Sequence, residues 1–154
     1  MILEFVNKSP NENPSFSDKG SSGFDLRAWI TEETEGFLNE NKKYTYILKP
    51  FERKMIHTGL YFNVPEHCEI QVRPRSGQSL KKGLSCANCV GTIDADYRAE
   101  IGVILINHGL ETAWIEDGER IAQFILNKVE RIEWNQVTSL DKTDRNGGFG
   151  STDK

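Results

Sequence analysis

The sequence predicts an all-β domain of closed or sandwiched antiparallel strands, and three observations predict it. Short stretches rich in β-branched and aromatic residues recur along the chain, cut by Gly, Pro, Asn and Asp. In "EIQVR", Ile70 and Val72 alternate with Gln71 and Arg73 at the period of a half-buried strand. Long helical patterns are scarce.

In order, the expected strands are "MILEFV" (1–6), "YTYIL" (44–48), "KMIHTGLYFNV" (54–64), "EIQVRPR" (69–75), "AEIGVILIN" (99–107) and "RIAQFILNKV" (120–129). The last also fits a helical face through Ile121, Phe124, Ile125, Lys128 and Val129, but is read as a strand. Residues Ile101 to Ile106 are nearly continuous apolar and are expected to be covered on both faces. "RSGQSLKKG" predicts one short helix, with Ser76 as its N-cap and Gly83 as its stop. The polar segment 31–43, "TEETEGFLNENKK", reads as a solvated loop or hairpin excursion.

A chain of 154 residues suits one domain, and no apolar run is long enough to span a bilayer. The N-terminus has no basic lead, long apolar centre or cleavage signal, so a cytoplasmic, intracellular protein is expected. A formal charge of −4 argues against a general nucleic-acid or anionic-membrane binder, so any anionic ligand must be met by a local basic pocket. The odd count of cysteines, Cys68, Cys86 and Cys89, suits a reducing compartment, and "CANC" reads as space-filling residues in a strand more readily than as half a zinc site.

Several stretches could carry chemistry. Arg75, the Ser76 hydroxyl and the Gly77 backbone stand where a helix begins and could hold a phosphate; a surface arginine beside a capped turn is the bland alternative. "GTIDADYRAEI" offers Asp94 as a general base and Tyr97 as a pocket wall, or simply a hairpin turn whose aspartates cap backbone groups. "SSGFDLRA" and "GERIAQ" set Asp25, Arg27, Arg120 and Gln123 in apolar strand patterns, with Arg27 and Arg120 read as exposed-face residues or structural ion pairs. The tail "RNGGFGSTDK" has the composition of a frayed end, yet it carries Arg145 and Phe149.

Together, "SSGFDLRA", "RPRSG", "GTIDADYRAEI", "GERIAQ" and "RNGGFGST", in this order from residue 21 to 152, closely resemble the five motifs of the trimeric dUTP diphosphatase (dUTPase) family. The resemblance implies an antiparallel jelly-roll-like β-barrel, a homotrimer with sites at subunit interfaces, and hydrolysis of dUTP to dUMP and diphosphate with Mg²⁺. Such an activity limits uracil incorporation into DNA and supplies dUMP for thymidylate synthesis. It implies Asp94 as the base that activates water and Tyr97 as the residue beneath the deoxyribose. Asn88, Gly91, Thr92 and Ile93 would line the uracil pocket, with Gly102, on the returning strand of the same hairpin, a further backbone contact. Arg75, Ser76, Gly77 and Gln123 would hold the phosphates, and Asp25 would meet Mg²⁺ through water. Residues 1–144 would form the barrel and 145–154 a flexible arm, in which Arg145, Phe149, Gly150, Ser151 and Thr152 close over the nucleotide.

The chain departs from the family pattern at Ala99, at Gln78, in the spacing of the tail, at Asp153 and in the length of the 31–43 excursion, where a protein partner would be sought. Two rival readings are a dCTP deaminase on the same fold and a dUTPase-like regulatory protein in which nucleotide switches a partner surface. Release of ammonia instead of diphosphate would identify the first, and retention of Asp94, Tyr97 and Arg145 argues against the second.

Overall fold

The computed structural model describes residues 1–143, and the expected arm with Arg145, Phe149, Gly150, Ser151 and Thr152 lies outside the described residues. The strands are β1 (Glu4–Asn7), β2 (Phe24–Arg27), β3 (Phe37–Leu38), β4 (Tyr44–Leu48), β5 (Arg53–Ile56), β6 (Leu60–Asn63) and β7 (Cys68–Pro74). Helix α1 (Ser76–Lys82) follows, then β8 (Leu84–Cys86), β9 (Gly91–Ile93), β10 (Val103–Asn107), β11 (Ala113–Glu116) and β12 (Arg120–Lys128). They pair antiparallel in four sheets of order β1-β6, β5-β10-β8, β11-β4-β3 and β2-β12-β7-β9.

None of these sheets closes on itself, so the barrel expected from the resemblance is not formed as a continuous ladder among the described residues. Isolated hydrogen bonds join the sheets instead, such as Trp29 N–H to His57 O (2.8 Å) and Ile101 N–H to Leu60 O (2.8 Å). The strands are too short and too often broken by turns to sustain pairing round a circuit, and β12 itself shifts register between Arg120 and Ala122.

Alternation places the core. Leu26, Leu48, Ile56, Ile70, Leu105 and Ile115 are fully buried, and Phe24 stacks on Phe124 with ring centroids 4.2 Å apart while Phe62 meets Phe124 at 4.8 Å. Asn107 is buried too, and its side chain is satisfied by donating to Leu48 O and Glu111 O and accepting from Gly109 N–H. Cys68 and Cys86 fill space in this core, where burial, with Cys89 adding to it, pushes the Cys86 thiol up to about 11. Phe124→Ala should remove the ring around which Phe24 and Phe62 pack and destabilise the fold by about 3–5 kcal/mol. Urea unfolding checks this.

Four sequence expectations are corrected here. The 54–64 stretch is two strands, since the backbone turns at 57–59 with Gly59 at φ +70°, where a Cβ would lie 2.7 Å from Ser9 N. Ile101 to Ile106 is not covered on both faces: Val103 and Leu105 are buried while Ile104 is 37% exposed in the single chain. Ser76 is not the N-cap; it is the first helical residue, and Arg75, extended at φ −90°, ψ 130° with no side-chain cap bond, precedes it. The segment 91–107 is not a paired hairpin. It does turn at Asp94 (Tyr97 N–H to Asp94 O, 3.2 Å), but β9 joins β7 whereas β10 joins β5 and β8.

The 31–43 segment folds back as a hairpin excursion, with β3 paired to β4. Lys54 reaches Glu35 at 3.2 Å and lies 4.3 Å over the Tyr46 ring, and Asn39 and Lys43 both meet Glu116. The ambiguous 121–129 stretch is strand β12 along most of its length.

Candidate active site

Register places the phosphate-type residues. Gln123 on β12 lies opposite Asp25 on β2 and opposite Arg73 on β7, so the three share one row of the sheet. The neighbouring Phe24, Leu26, Val72, Ala122 and Phe124 are buried, so alternation turns that row away from the core. Arg75 lies two residues beyond Arg73, and its Nε donates to Asp25 Oδ1 at 2.8 Å, while Arg120 Nη1 donates to Asp25 Oδ2 at 3.3 Å. This commitment to Asp25 explains why Arg75 is held extended at the helix start. Ser76 and Gly77 are exposed beside it, and nothing lies within 4 Å of a Cβ built on Gly77.

Around one carboxylate stand the guanidinium groups of Arg75 and Arg120, while that of Arg73 turns along its own strand to Gln71 Oε1. The local charge is therefore positive although the chain is acidic, as an anionic ligand would require. Asp25, Gln123 and Arg120 open onto a cavity of ≈ 390 Å³ whose far wall is the serine- and asparagine-rich segment from Ser9 to Ser22.

Behind this cluster lies a second polar network that sequence reasoning missed. Gln78 is buried, and its Nε2 donates to Glu119 Oε1 (2.7 Å) and to Arg120 O (3.0 Å), while Lys82 also pairs with Glu119. It fastens α1 to the turn before β12, so Arg75 and Arg120 keep a fixed separation. In the sequence Gln78 stands out only as a departure from the family pattern; a long amide between Gly77 and Ser79 is the available signal.

Burial pushes the Glu119 carboxyl up, but hydrogen bonds from Lys82, Gln78 and the Glu116 N–H outweigh it and hold the group below its ordinary 4.5. A depressed folded value means this stabilisation is complete above pH 4.5 and is lost as pH falls below it through the folded value. Glu119→Gln should therefore flatten the loss of stability below that pH, which urea midpoints measured across the acid range will show.

Asp94 and Tyr97 lie elsewhere. The pairing Ile70–Ile93 puts Asp94 level with Glu69, near the Cys68 end of β7, whereas Arg75 follows its other end. Six residues of extended chain separate the two rows, about 20 Å. Asp94 is exposed and shares a second cavity of ≈ 780 Å³ with Glu69, Asp96, Arg98 and Arg131. Tyr97 is 39% exposed, and its hydroxyl donates to Glu100 O at 2.9 Å.

Asn88 sits in the turn between β8 and β9 and packs over Gly91, where a Cβ would meet Asn88 Nδ2 at 3.0 Å and Val72 Cβ at 3.3 Å. A side chain there would press on both neighbours, so glycine lets the chain pass closely beneath Asn88. Thr92 and Ile93 continue β9 opposite Gln71 and Ile70. Gly102 packs against Met55 and leads into a different sheet, so it is not on a strand paired with β9.

One chain thus brings Asp25, Arg75, Ser76, Gly77 and Gln123 together, and separately Asn88, Gly91, Thr92, Ile93, Asp94 and Tyr97. It does not join the two groups.

No group of three or more His, Cys, Asp and Glu able to hold a metal is present among the described residues. Asp25 accepts one N–H on each oxygen, and a carboxylate offers about four acceptor sites, so it keeps room for the hydrogens of a hydrated cation. The donor set fits a metal held mainly by its ligand's own oxygens and by water, and not one caged by protein.

Comparison with known proteins places this arrangement. A family model described as dUTPase matches residues 38–153. The deoxyuridine 5'-triphosphate nucleotidohydrolase of Finegoldia magna is 50% identical over 153 residues, covering 99% of each chain. That of Fusobacterium nucleatum is 45% identical over 153 residues, 99% of this chain and 97% of the relative. Among solved structures, a variant of the Staphylococcus bacteriophage 80alpha dUTPase with dUpNHpp matches at a TM-score of 0.80 and 23% identity over 98% of each chain. A variant dUTPase from phage phi11 of S. aureus, described with a structural Mg(II) ion, matches at 0.76 and 21% identity over 92% of this chain and 100% of the other. At that identity the structural matches speak for the fold alone, whereas the family model and the full-length relatives reach further: the chain belongs to the dUTPase family of nucleotide hydrolases.

Proposed function

We propose that this chain hydrolyses dUTP to dUMP and diphosphate inside the cell, in an active site completed by a second copy of itself. The observation that carries this reading is the division of the site residues. A local cluster of arginines suited to a phosphate chain stands at one end of β7, and an exposed carboxylate suited to activating water stands about 20 Å away at the other. Neither half is a hydrolase alone; two chains set side by side can place one half against the other.

A second copy is also what the surface calls for. Val129 N–H bonds to His67 O, but residues 130–143 make no hydrogen bond to any other described residue, and Ile132, Trp134, Val137 and Leu140 there are 52–89% exposed. Such apolar side chains on a segment that is neither helix nor strand suit packing on another subunit. The homotrimer is proposed on the resemblance of the five motifs to those of the trimeric dUTPases.

In the assembled site, Arg75, Ser76, Gly77 and Gln123 would hold the phosphates, with Asp25 keeping Arg75 and Arg120 oriented. Asp94 of the neighbouring copy would take a proton from the water that attacks the α-phosphorus, and the bond to diphosphate breaks. Asp25 would hold the waters of a bound Mg²⁺, which supplies charge neutralisation along the phosphate chain. Asn88, Gly91, Thr92 and Ile93 would read the uracil edge, Gly102 is a lesser backbone candidate, and Tyr97 would exclude a 2′-hydroxyl. Arg145, Phe149, Gly150, Ser151 and Thr152 would close over the nucleotide and exclude water.

Steady-state assays of purified protein with Mg²⁺ across dUTP, dTTP, dCTP and UTP test the proposal. Diphosphate release with a preference for dUTP is expected. Equal turnover of UTP, or ammonia release from dCTP, would contradict it.

A further inference from the structure

We infer that Glu100 is a positioning residue for sugar discrimination: its side chain fixes the main chain that anchors the Tyr97 hydroxyl. This rests on the reading of Tyr97 as the wall beneath the deoxyribose. Tyr97 lies on a turn whose neighbours Asp94, Asp96, Arg98 and Ala99 are all exposed, so local packing does little to hold the ring. What holds it is the bond from its hydroxyl to Glu100 O at 2.9 Å.

The Glu100 carbonyl is in turn fixed through its own carboxylate. Oε1 accepts the N–H groups of Thr58 (3.0 Å) and Gly59 (2.7 Å), and Oε2 meets His57 Nδ1 at 2.9 Å. Gly59, at φ +70° and crowded by Ser9 and Trp29, lets two successive N–H groups point at one oxygen as an anion nest. Burial pushes the Glu100 carboxyl up, yet the bonds from His57, Gly59 and Thr58 outweigh it and keep the group below its ordinary 4.5, so it is ionised at neutral pH.

The next residue is locked as well. Ile101 is fully buried, its N–H donates to Leu60 O (2.8 Å) and its carbonyl accepts from Thr58 Oγ1 (2.7 Å). The β5–β10 ladder ends at the pair Val103–Ile56, and this network continues the tie between the two segments beyond it. The sugar wall is thereby set before nucleotide arrives. A wall rejects one added hydroxyl only if it cannot yield, and a displacement of about 1 Å is enough to lose such selectivity.

The experiment compares full-length wild type, Glu100→Ala, Glu100→Gln, Tyr97→Phe and Tyr97→Ala by the ratio of kcat/KM for dUTP over UTP, with thermal melts of each. Glu100→Ala should narrow the ratio about tenfold or more. Glu100→Gln retains an acceptor for Thr58 and Gly59 and should keep most of it. Tyr97→Phe, which keeps the ring and loses only the anchor, should narrow the ratio as Glu100→Ala does. If Tyr97→Ala narrows the ratio while folded Glu100→Ala leaves it at the wild-type value, the positioning role is overturned. Should Glu100→Ala fail to fold, an unchanged ratio in Tyr97→Phe overturns it equally. An unchanged ratio in Tyr97→Ala instead removes the reading of Tyr97 itself, and this inference with it.

Discussion

Asp94→Asn should lower dUTP turnover by about 10²- to 10⁴-fold while leaving nucleotide affinity within a few-fold of wild type. The substitution is isosteric and removes only the capacity to accept a proton. It should not disturb the fold, because the Asp94 side chain is exposed and accepts no hydrogen bond from any other described residue; only its main-chain oxygen is used, by Tyr97 N–H. Calorimetric binding of the non-hydrolysable dUpNHpp beside steady-state turnover separates the two effects. Wild-type turnover in this variant would take the base role from Asp94.

Arg75→Ala should lower kcat/KM for dUTP by about 10²- to 10³-fold. The guanidinium is the group that Asp25 aims, and its removal leaves Asp25 with Arg120 alone. Arg75→Lys should fall between, since a lysine keeps the charge and loses the planar fork. Stability should fall by about 1.5–3 kcal/mol, because the pair is largely buried and Asp25 keeps only Arg120. Kinetics alongside a thermal melt distinguish the lost clamp from a lost fold.

What the sequence disclosed, it disclosed through local chemistry. Alternation in "EIQVR" gave the faces of β7, Gly83 at φ +67° ended α1 where expected, and the motif order brought Arg75, Asp25 and Gln123 together as a candidate phosphate site. What stayed hidden was non-local. Ser76 looked like a cap because serine often is one, yet the structure instead ties Arg75 at the cap position to a residue fifty positions away. The segment around "DADY" looked like a hairpin because its two arms are adjacent in sequence, but each arm found a longer partner strand elsewhere. Glu100 was passed over within the strand expected at 99–107. The clue was an acidic residue at the edge of an apolar run, which must find donors once buried.

The claim that the active site is shared between copies is tested most directly by mixing. Asp94→Asn and Arg75→Ala chains, each nearly inactive alone, are unfolded together in equal amounts, refolded and assayed. If each site takes its arginine cluster from one copy and its aspartate from another, about a quarter of the sites in random assemblies are intact, and activity should return to about that fraction of wild type. If both come from one chain, no mixture contains an intact site, and activity that stays at the level of the separate variants would contradict the account.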